Sequence, residues 1–242
     1  MKVEVLDHGY VEFIEAWGTG HSGRDDVIGY PHDYEVGIIE AARQSTQGSF
    51  RGWDSGDARL LSYLYRNNHS TPFEFAGMVI EVQAPIFVFR EWHRHRTQSY
   101  NEASARYAPL PAVDYIPTVE RLLMHGGTNK QAAALADVEP LKNREDAEIL
   151  RNIIMTHSQD AEKRYQMLLN KGVSKELARL VLPVNRYTRM RASANLRNWL
   201  AFMTLRCDPV AQWEIQQYAL AVSAIIQEKF PQTHELWEDA KE

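Results

Sequence analysis

The chain of 242 residues is 44% hydrophobic, 24% charged and 10% aromatic, a composition that excludes a disordered protein and leaves ample apolar material for a core. Its 32 acidic against 27 basic residues give a formal net charge of -5, which disfavours a general nucleic-acid binder, and no apolar run reaches the roughly 20 residues that a membrane-spanning helix needs. The single cysteine, Cys207, excludes an intrachain disulfide and any multi-cysteine metal site, and the charged opening Met1-Lys2-Val3-Glu4-Val5 is unlike a secretory leader, so a soluble cytoplasmic protein is expected.

Residues 2–14 alternate through Val3, Val5, Val11 and Phe13 and predict two short strands about Asp7-His8-Gly9. Residues 18–33, rich in Gly, His and Asp, read as loop. Ile38, Ile39 and Ala42 set a helix over 34–44, and Leu60, Leu61 and Leu64 set another over 57–68 with Ser55 as its cap. Ile80-Glu81-Val82-Gln83-Ala84 alternates as a half-buried strand. Pro85 ends it and opens a helix, since its missing N–H falls where a helix has no partner to lose. The stripes Ile86/Phe89 and Val88/Trp92 define that helix, which delivers Arg94 at or just past its end. Over 108–147, Pro109, Pro111 and Pro117 argue against long elements, and Gly126-Gly127 marks a turn. A long amphipathic helix follows over 145–171, with Leu150, Ile153, Ile154, His157, Ala161 and Leu168 on its inner side and Gly172 as its stop. Ser174 caps a short helix ended by Pro183, and 187–192 form a strand with Tyr187, Arg189 and Arg191 on one face. Asn195 caps a helix over 196–206, and Asp208-Pro209 opens one that runs to about Phe230. Short strands and long helices without strict alternation predict an α+β fold, with a mixed or antiparallel sheet flanked by long helices.

Of the 27 basic residues 19 are Arg, many of them in 90–106 and 179–206. A guanidinium grips carboxylate or phosphate through two parallel hydrogen bonds, so these stretches fit a small anionic ligand; ordinary surface pairing is the plain alternative. The stretch Arg94-His95-Arg96-Thr97-Gln98-Ser99-Tyr100-Asn101-Glu102-Ala103-Ser104-Ala105-Arg106 holds three Arg, one His, one Glu and two Ser. Such a segment is costly to order unless its charges are compensated. Glu102 can hold one guanidinium, and hydroxyls and amides about Ser104 can complete a phosphate cradle. The residues themselves leave an anion-binding loop and a solvated charged loop both open. A Rossmann pyrophosphate site is not expected.

That stretch resembles the signature of the flavin-dependent thymidylate synthases: Arg-His-Arg, seven residues, then Ser, with Asn101-Glu102 before the Ser and Arg106 after it. Further blocks are similar to the same family: His69-Ser70-Thr71-Pro72-Phe73-Glu74, Ala84-Pro85-Ile86-Phe87-Val88, Glu176–Pro183, Ala211–Tyr218 and the opening Val5-Leu6-Asp7-His8-Gly9. The resemblance covers most of the chain except 18–32 and about 112–147, so a single domain over 1–242 with a variable segment at 112–147 is expected. It implies reductive methylation of dUMP to dTMP, with 5,10-methylenetetrahydrofolate as one-carbon donor and FAD, reduced by NADPH, as hydride carrier. It also implies a homotetramer with FAD between subunits, no nucleic acid or membrane partner, and no metal.

Carried over position by position, the resemblance assigns His69, Thr71, Arg94, His95, Arg96, Glu102, Asn195 and Arg197 to FAD. It assigns Glu91, Arg94, Glu102, Ser104, Ala105, Arg106, Arg179 and Arg206 to dUMP. Arg206 is the expected catalytic residue, a fixed cation against the uracil where negative charge develops. Glu91 stands where the family usually has Gln, and a carboxylate repels a phosphate unless an Arg pairs with it first. Ala201 replaces a residue that is often a polar flavin contact, and Pro209-Val210 replace residues that are often polar. Neither Cys207, read as a small packed thiol, nor Ser104, which has no evident base partner, is expected to act as a nucleophile. Two other readings remain: a metal hydrolase on the i, i+2 pair His93 and His95, and a single-strand nucleic-acid-binding module stacking bases on Tyr100 and Tyr107.

Overall fold

Five antiparallel strands in the order β1-β2-β3-β5-β4 form the sheet of a computed structural model that describes residues 1–20, 33–48, 50, 56–124, 133–135 and 137–241. They are β1 (Lys2–Val5), β2 (Gly9–Trp17), β3 (Gly77–Pro85), β4 (Ser99–Glu102) and β5 (Tyr187–Asn195). The β1–β2 turn falls on Leu6-Asp7-His8, as the alternation predicts, and places Val3 opposite Val11. A bulge between Phe13 and Glu15 bends β2 against β3. Central β3 pairs with β5 from Gly77↔Asn195 to Pro85↔Tyr187.

One face of this sheet is the core. Met78, Ile80, Val82 and Ala84 of β3, with Met190, Ala192 and Ala194 of β5, are buried and alternate with polar neighbours on the other face. The small residues let helices lie close. Helix α3 (Ile86–Trp92) starts on Pro85 itself, and α7 (Leu196–Arg206) starts on Asn195, whose side-chain oxygen accepts from Asn198 N at 3.0 Å. The ring of Trp92 stacks on Phe202 at 4.5 Å, and Trp199 Nε1 donates to the Met78 carbonyl at 3.1 Å, joining the two helices and β3. Helix α8 (Trp213–Lys229) is buried nearly all round through Ile215, Tyr218, Ala219, Val222, Ile225 and Ile226. Helices α1 (Val36–Gln44), α2 (Asp57–Arg66) and α9 (Pro231–Asp239) complete the core through Ile38, Ile39, Leu61, Leu64 and Trp237. Gly9 is demanded by packing: a Cβ there would meet the Tyr218 hydroxyl and lie 2.7 Å from the Val5 carbonyl oxygen.

All described strand pairs are antiparallel, in keeping with the mixed or antiparallel sheet expected. Several other expectations need correction. Ser99–Glu102, expected as loop, is strand β4: its polar sequence hides it because an edge strand needs only the ladder with β5. Helix α8 begins at Trp213, since the Asp208 carboxylate instead closes a turn by accepting from Val210 N at 2.8 Å. Helix α9 was not foreseen. The long helix is α5 (Arg144–Asn170), ended by Gly172 at φ +83° as expected, but its inner face is Ala147, Ser158, Ala161 and Tyr165. Leu150 and Ile153 are exposed. The reason is that α5 docks through polar groups: Asn185 Nδ2 donates to Ser158 Oγ at 3.0 Å, and Glu162 pairs with Arg186 at 2.7 Å. The Ser55 cap and most of the 18–33 loop lie outside the described residues.

The segment after the signature is firmly anchored. Tyr115 N donates to the Asn185 carbonyl at 2.8 Å, and Ile116 N to Asp7 at 3.1 Å. Short α4 (Val119–Leu123) is capped by Thr118, and its Arg121 forks onto buried Glu214 at 2.7 and 3.3 Å. Arg186, fully buried, donates to the Pro111 carbonyl at 2.8 Å and pairs with Asp114 at 2.8 Å.

Candidate active site

The chain folds the Arg-rich stretch into a turn, an edge strand and a second turn, each with its own fastening. Trp92 Nε1 donates to the buried Gln98 side-chain oxygen at 3.0 Å, and the Tyr100 hydroxyl donates to the His95 carbonyl at 2.6 Å. These bonds close the turn 93–98 and push Arg94 and Arg96 outward. Asn198 Nδ2 donates to the Thr97 carbonyl at 3.1 Å, fixing that turn beside the start of α7. Strand β4 then runs along β5, and Ala103 N donates to the Arg189 carbonyl at 2.8 Å before the chain turns at Ser104.

Three groups of expected site residues result. The first lines a cleft of about 340 Å³ with Glu102, Ser104, Ala105 and Arg179, together with Arg90 and His93 and apolar walls from Ile86, Phe89, Leu110 and Leu182. Its lining is chemically mixed: two guanidinium groups, an imidazole, a carboxylate and a hydroxyl among apolar side chains. Partial desolvation raises the Glu102 carboxyl pKa, and the facing Arg90 opposes that rise. Burial and the Arg90 charge lower the His93 pKa, which keeps that ring neutral. Arg106 lies at the rim, its Nε 3.0 Å from Glu176, whose backbone carbonyl accepts from Arg179 Nε at 3.2 Å.

The second group is a tight cluster around Arg206, which stands at the end of α7 with its side chain only 11% exposed. Its Nε donates to His95 Nε2 at 2.8 Å, its Nη1 to Glu91 Oε2 at 3.1 Å and its Nη2 to the Glu91 carbonyl at 3.0 Å. Burial and the Arg206 charge bring the His95 pKa down to about 4, so the ring is neutral and accepts through Nε2. Glu91 therefore faces Arg206, and neither residue is among those lining the cleft.

The third group comprises His69, Thr71, Asn195 and Arg197. His69 and Thr71 are exposed on the 3-10 turn Thr71–Phe75 and the loop before it; the His69 ring meets Tyr63 edge-on at 5.6 Å. Arg197, in the first turn of α7, pairs with Glu74 of the same box. Asn195 spends its side-chain oxygen on capping α7. Arg90, Arg94 and Arg96 have no ion-pair partner among the described residues, which leaves three guanidinium groups for an anionic ligand.

Arg90 is a functional candidate that the sequence reasoning does not single out, and His93 enters that reasoning only as half of a metal pair. The signal was available: Ile86, Phe89, Arg90 and His93 fall at i, i+3, i+4 and i+7 along one face of α3 and continue past its end.

A family model described as thymidylate synthase complementing protein matches residues 26–232. A flavin-dependent thymidylate synthase of Thermotoga neapolitana is 38% identical over 235 residues, 97% of this chain and 93% of that protein. One from Thermus thermophilus is 39% identical over 96% of this chain and 76% of its own length. The chain belongs to the flavin-dependent thymidylate synthase family. It is accordingly an enzyme. Among solved structures, the UMP/dUMP methylase PolB of Streptomyces cacaoi bound with 5-Br dUMP superposes with a TM-score of 0.79 at 31% identity, covering 98% of this chain and 97% of that one. The antiparallel α+β fold is therefore that of the family.

The two histidines that flank Arg94 diverge. His93 Nε2 lies 3.2 Å from the Met190 sulfur, while His95 Nε2 faces Arg206. They do not converge as a metal pair would. Tyr100 packs against His93 at 4.9 Å and spends its hydroxyl inside the turn, whereas Tyr107 is exposed.

Proposed function

We propose that the protein methylates dUMP to dTMP, with 5,10-methylenetetrahydrofolate as one-carbon donor and FAD, reduced by NADPH, as redox cofactor. The observation that carries this reading is the cleft that gathers Glu102, Ser104, Ala105 and Arg179 from distant parts of the chain. Its size and its mixed polar and apolar lining suit a nucleoside monophosphate.

In this reading Ser104, the Ala105 amide, Arg106 and Arg179 hold the nucleotide, with Arg90 as an additional cation. The Arg206 guanidinium stabilises negative charge as the uracil C5 becomes nucleophilic, an interaction stronger in the transition state than in the ground state. No side chain acts as nucleophile. Burial pushes the Cys207 thiol up to about 11, so it is protonated at neutral pH. Ser104 Oγ accepts a long 3.3 Å bond from Arg106 N and is hydrogen-bonded to no histidine among the described residues.

The donor set also fits FAD. Arg94 and Arg96 stand outward without carboxylate partners among the described residues, beside the start of α7, where Asn195 and Arg197 lie, and His69 and Thr71 are exposed on the adjoining box. These residues would hold its phosphates by guanidinium and hydroxyl groups. When bound, FAD supplies the hydride that completes the methyl group. Many of the assigned side chains lie at the surface of one chain, and Ile149, Leu150 and Ile153 form an exposed apolar strip on α5; both features support a homotetramer with sites assembled between subunits. One domain over 1–242 in the cytoplasm completes the reading, and no helix among the described residues is long and apolar enough to cross a membrane.

The test is direct. Purified protein should show the absorption of bound flavin. With NADPH and 5,10-methylenetetrahydrofolate it should convert dUMP to dTMP, followed by chromatography. A protein that takes up FAD yet yields no dTMP refutes the proposal.

A further inference from the structure

We infer that Glu91 is a positioning residue, fixing the guanidinium of Arg206 from behind and making no contact of its own with the nucleotide. The inference rests on the proposed function for what Arg206 acts upon, and on geometry for the rest.

A guanidinium carries five N–H donors: one on Nε and two on each terminal nitrogen. In this chain three are already committed. His95 takes the Nε proton at 2.8 Å, the Glu91 carboxylate one from Nη1 at 3.1 Å, and the Glu91 main-chain carbonyl one from Nη2 at 3.0 Å. Two N–H groups remain, one on each terminal nitrogen. Each can donate to an acceptor on a bound ligand. A long side chain at a helix end would otherwise lose considerable rotamer freedom on meeting its substrate. Here that ordering is completed during folding, because Glu91 and His95 both belong to the rigid run of α3 and the turn that follows it.

The two bonds from Glu91 do different things. Its carbonyl is main chain, so any residue at 91 supplies it. The carboxylate is the part that depends on the side chain, and it is the only carboxylate within ion-pair distance of Arg206 among the described residues. It contributes both an acceptor and a neutralising charge. A glutamine retains the acceptor without the charge; an alanine retains neither. Glu91 is also 44% exposed at its side chain, so it remains hydrated on one side and ordering it costs little desolvation.

The test uses the FAD-loaded enzyme and compares wild type with Glu91→Ala, Glu91→Gln, Arg206→Ala and the double variant Glu91→Ala/Arg206→Ala. Glu91→Ala should lower kcat about 10–100-fold while KM for dUMP shifts less than about threefold, since the lost organisation matters most where charge develops. Glu91→Gln should restore kcat to within about threefold of wild type. In the Arg206→Ala background the further loss of Glu91 should change the residual rate by less than about twofold, as expected when one residue acts through the other. A Glu91→Ala variant that raises KM and keeps kcat would show a direct nucleotide contact and overturn the inference. So would equal losses in the alanine and glutamine variants, or independent losses in the double variant.

A readout independent of turnover separates this inference from the proposed function. In protein labelled with ¹⁵N-arginine, the Arg206 Nε–H signal should be slow to exchange in wild type and in Glu91→Gln, and should broaden or vanish in Glu91→Ala. If wild type makes no dTMP while this pattern holds, the functional reading fails and the positioning role stands. If wild type makes dTMP and the signal is the same in all three proteins, the positioning role fails alone.

Discussion

Arg186 offers the clearest quantitative test of how the cleft is held. Its side chain is fully buried between Asp114 and Glu162, whose side chains are 12% and 20% exposed. It also binds the Pro111 carbonyl, and so ties the segment that supplies Leu110 to the cleft wall. Replacing it by methionine preserves much of the volume but leaves two carboxylates facing each other with no cation between them. Removing one partner of a buried charge group costs about 3–5 kcal/mol. For a chain of this size that corresponds to a fall in Tm of about 6–20 °C, taking roughly 2–4 °C per kcal/mol. The loss has a signature in pH. Burial, with Glu162 nearby, already raises the Asp114 carboxyl above its ordinary value, and Arg186 opposes that rise. Without Arg186 it rises further. A carboxyl raised by folding stabilises the protein at low pH and loses that contribution as pH climbs through the raised value. The deficit of Arg186→Met against wild type should therefore be smallest in mild acid and widen toward neutrality. Thermal unfolding of both proteins at equal concentration, followed by circular dichroism at pH 5 and pH 7.5, measures it. A deficit under about 2 °C, or one that does not change with pH, would refute the account of Arg186 as a buried charge bridge.

Further outcomes follow from the site. Ser104→Ala should keep dTMP synthesis within about tenfold of wild type, whereas Arg206→Ala should lose at least about 100-fold in kcat, measured by product formation; a dead Ser104→Ala that binds dUMP normally would restore a serine nucleophile. Cys207→Ala should retain kcat within about twofold, and the wild-type thiol should resist alkylation by iodoacetamide at pH 7.5, because burial keeps it protonated. His95, held down to about 4, should stay neutral by NMR through pH 5.5. Its contribution to stability, present above its unfolded value of 6.5, declines as pH falls from there toward 4. Arg206→Gln should move its midpoint upward, since Arg206 is one of the two causes that lower it; a wild-type midpoint near 6.5 would contradict the Nε–Nε2 bond.

Much of the fold was legible in the sequence because the elements facing the core on one side obey simple periods. Strand β3 alternates cleanly, and Pro85 and Asn195 mark where strands hand over to helices α3 and α7. The misses share a cause. Strand β4 carries no apolar alternation because it sits on an edge, and α5 docks by Ser158, Glu162 and Tyr165 where hydrophobic spacing pointed to Leu150 and Ile153. Where an element is held by hydrogen bonds and ion pairs, the period of its apolar residues describes the wrong face. Segment 108–124 shows the same effect more strongly. Its fastenings are Arg186, Asp7, Asn185 and Glu214, all remote in sequence, so no local pattern reveals them.

The candidate site divides along a similar line. Residue types at fixed spacing carried the resemblance, and the structure places Glu102, Ser104, Ala105 and Arg179 on one cleft although Arg179 is far from the others in sequence. What spacing could not convey is which arginines are already occupied. Arg106 and Arg197 rest against Glu176 and Glu74 in exposed pairs, which a phosphate can displace at small cost because such pairs contribute little. Among the described residues Arg94 and Arg96 have no ion-pair partner to give up. Arg206 is the opposite case, buried and held at all three nitrogens, and it cannot be drawn toward a phosphate without breaking the contacts with His95 and Glu91. One sequence class thus contains three physical kinds: arginines open to a ligand, arginines that exchange one anion for another, and one fixed in advance. A cation that must meet charge appearing only during reaction is of most use when it is fixed, since its orientation then costs nothing at that moment. That is the physical ground for assigning the chemistry to Arg206 and the binding to the others.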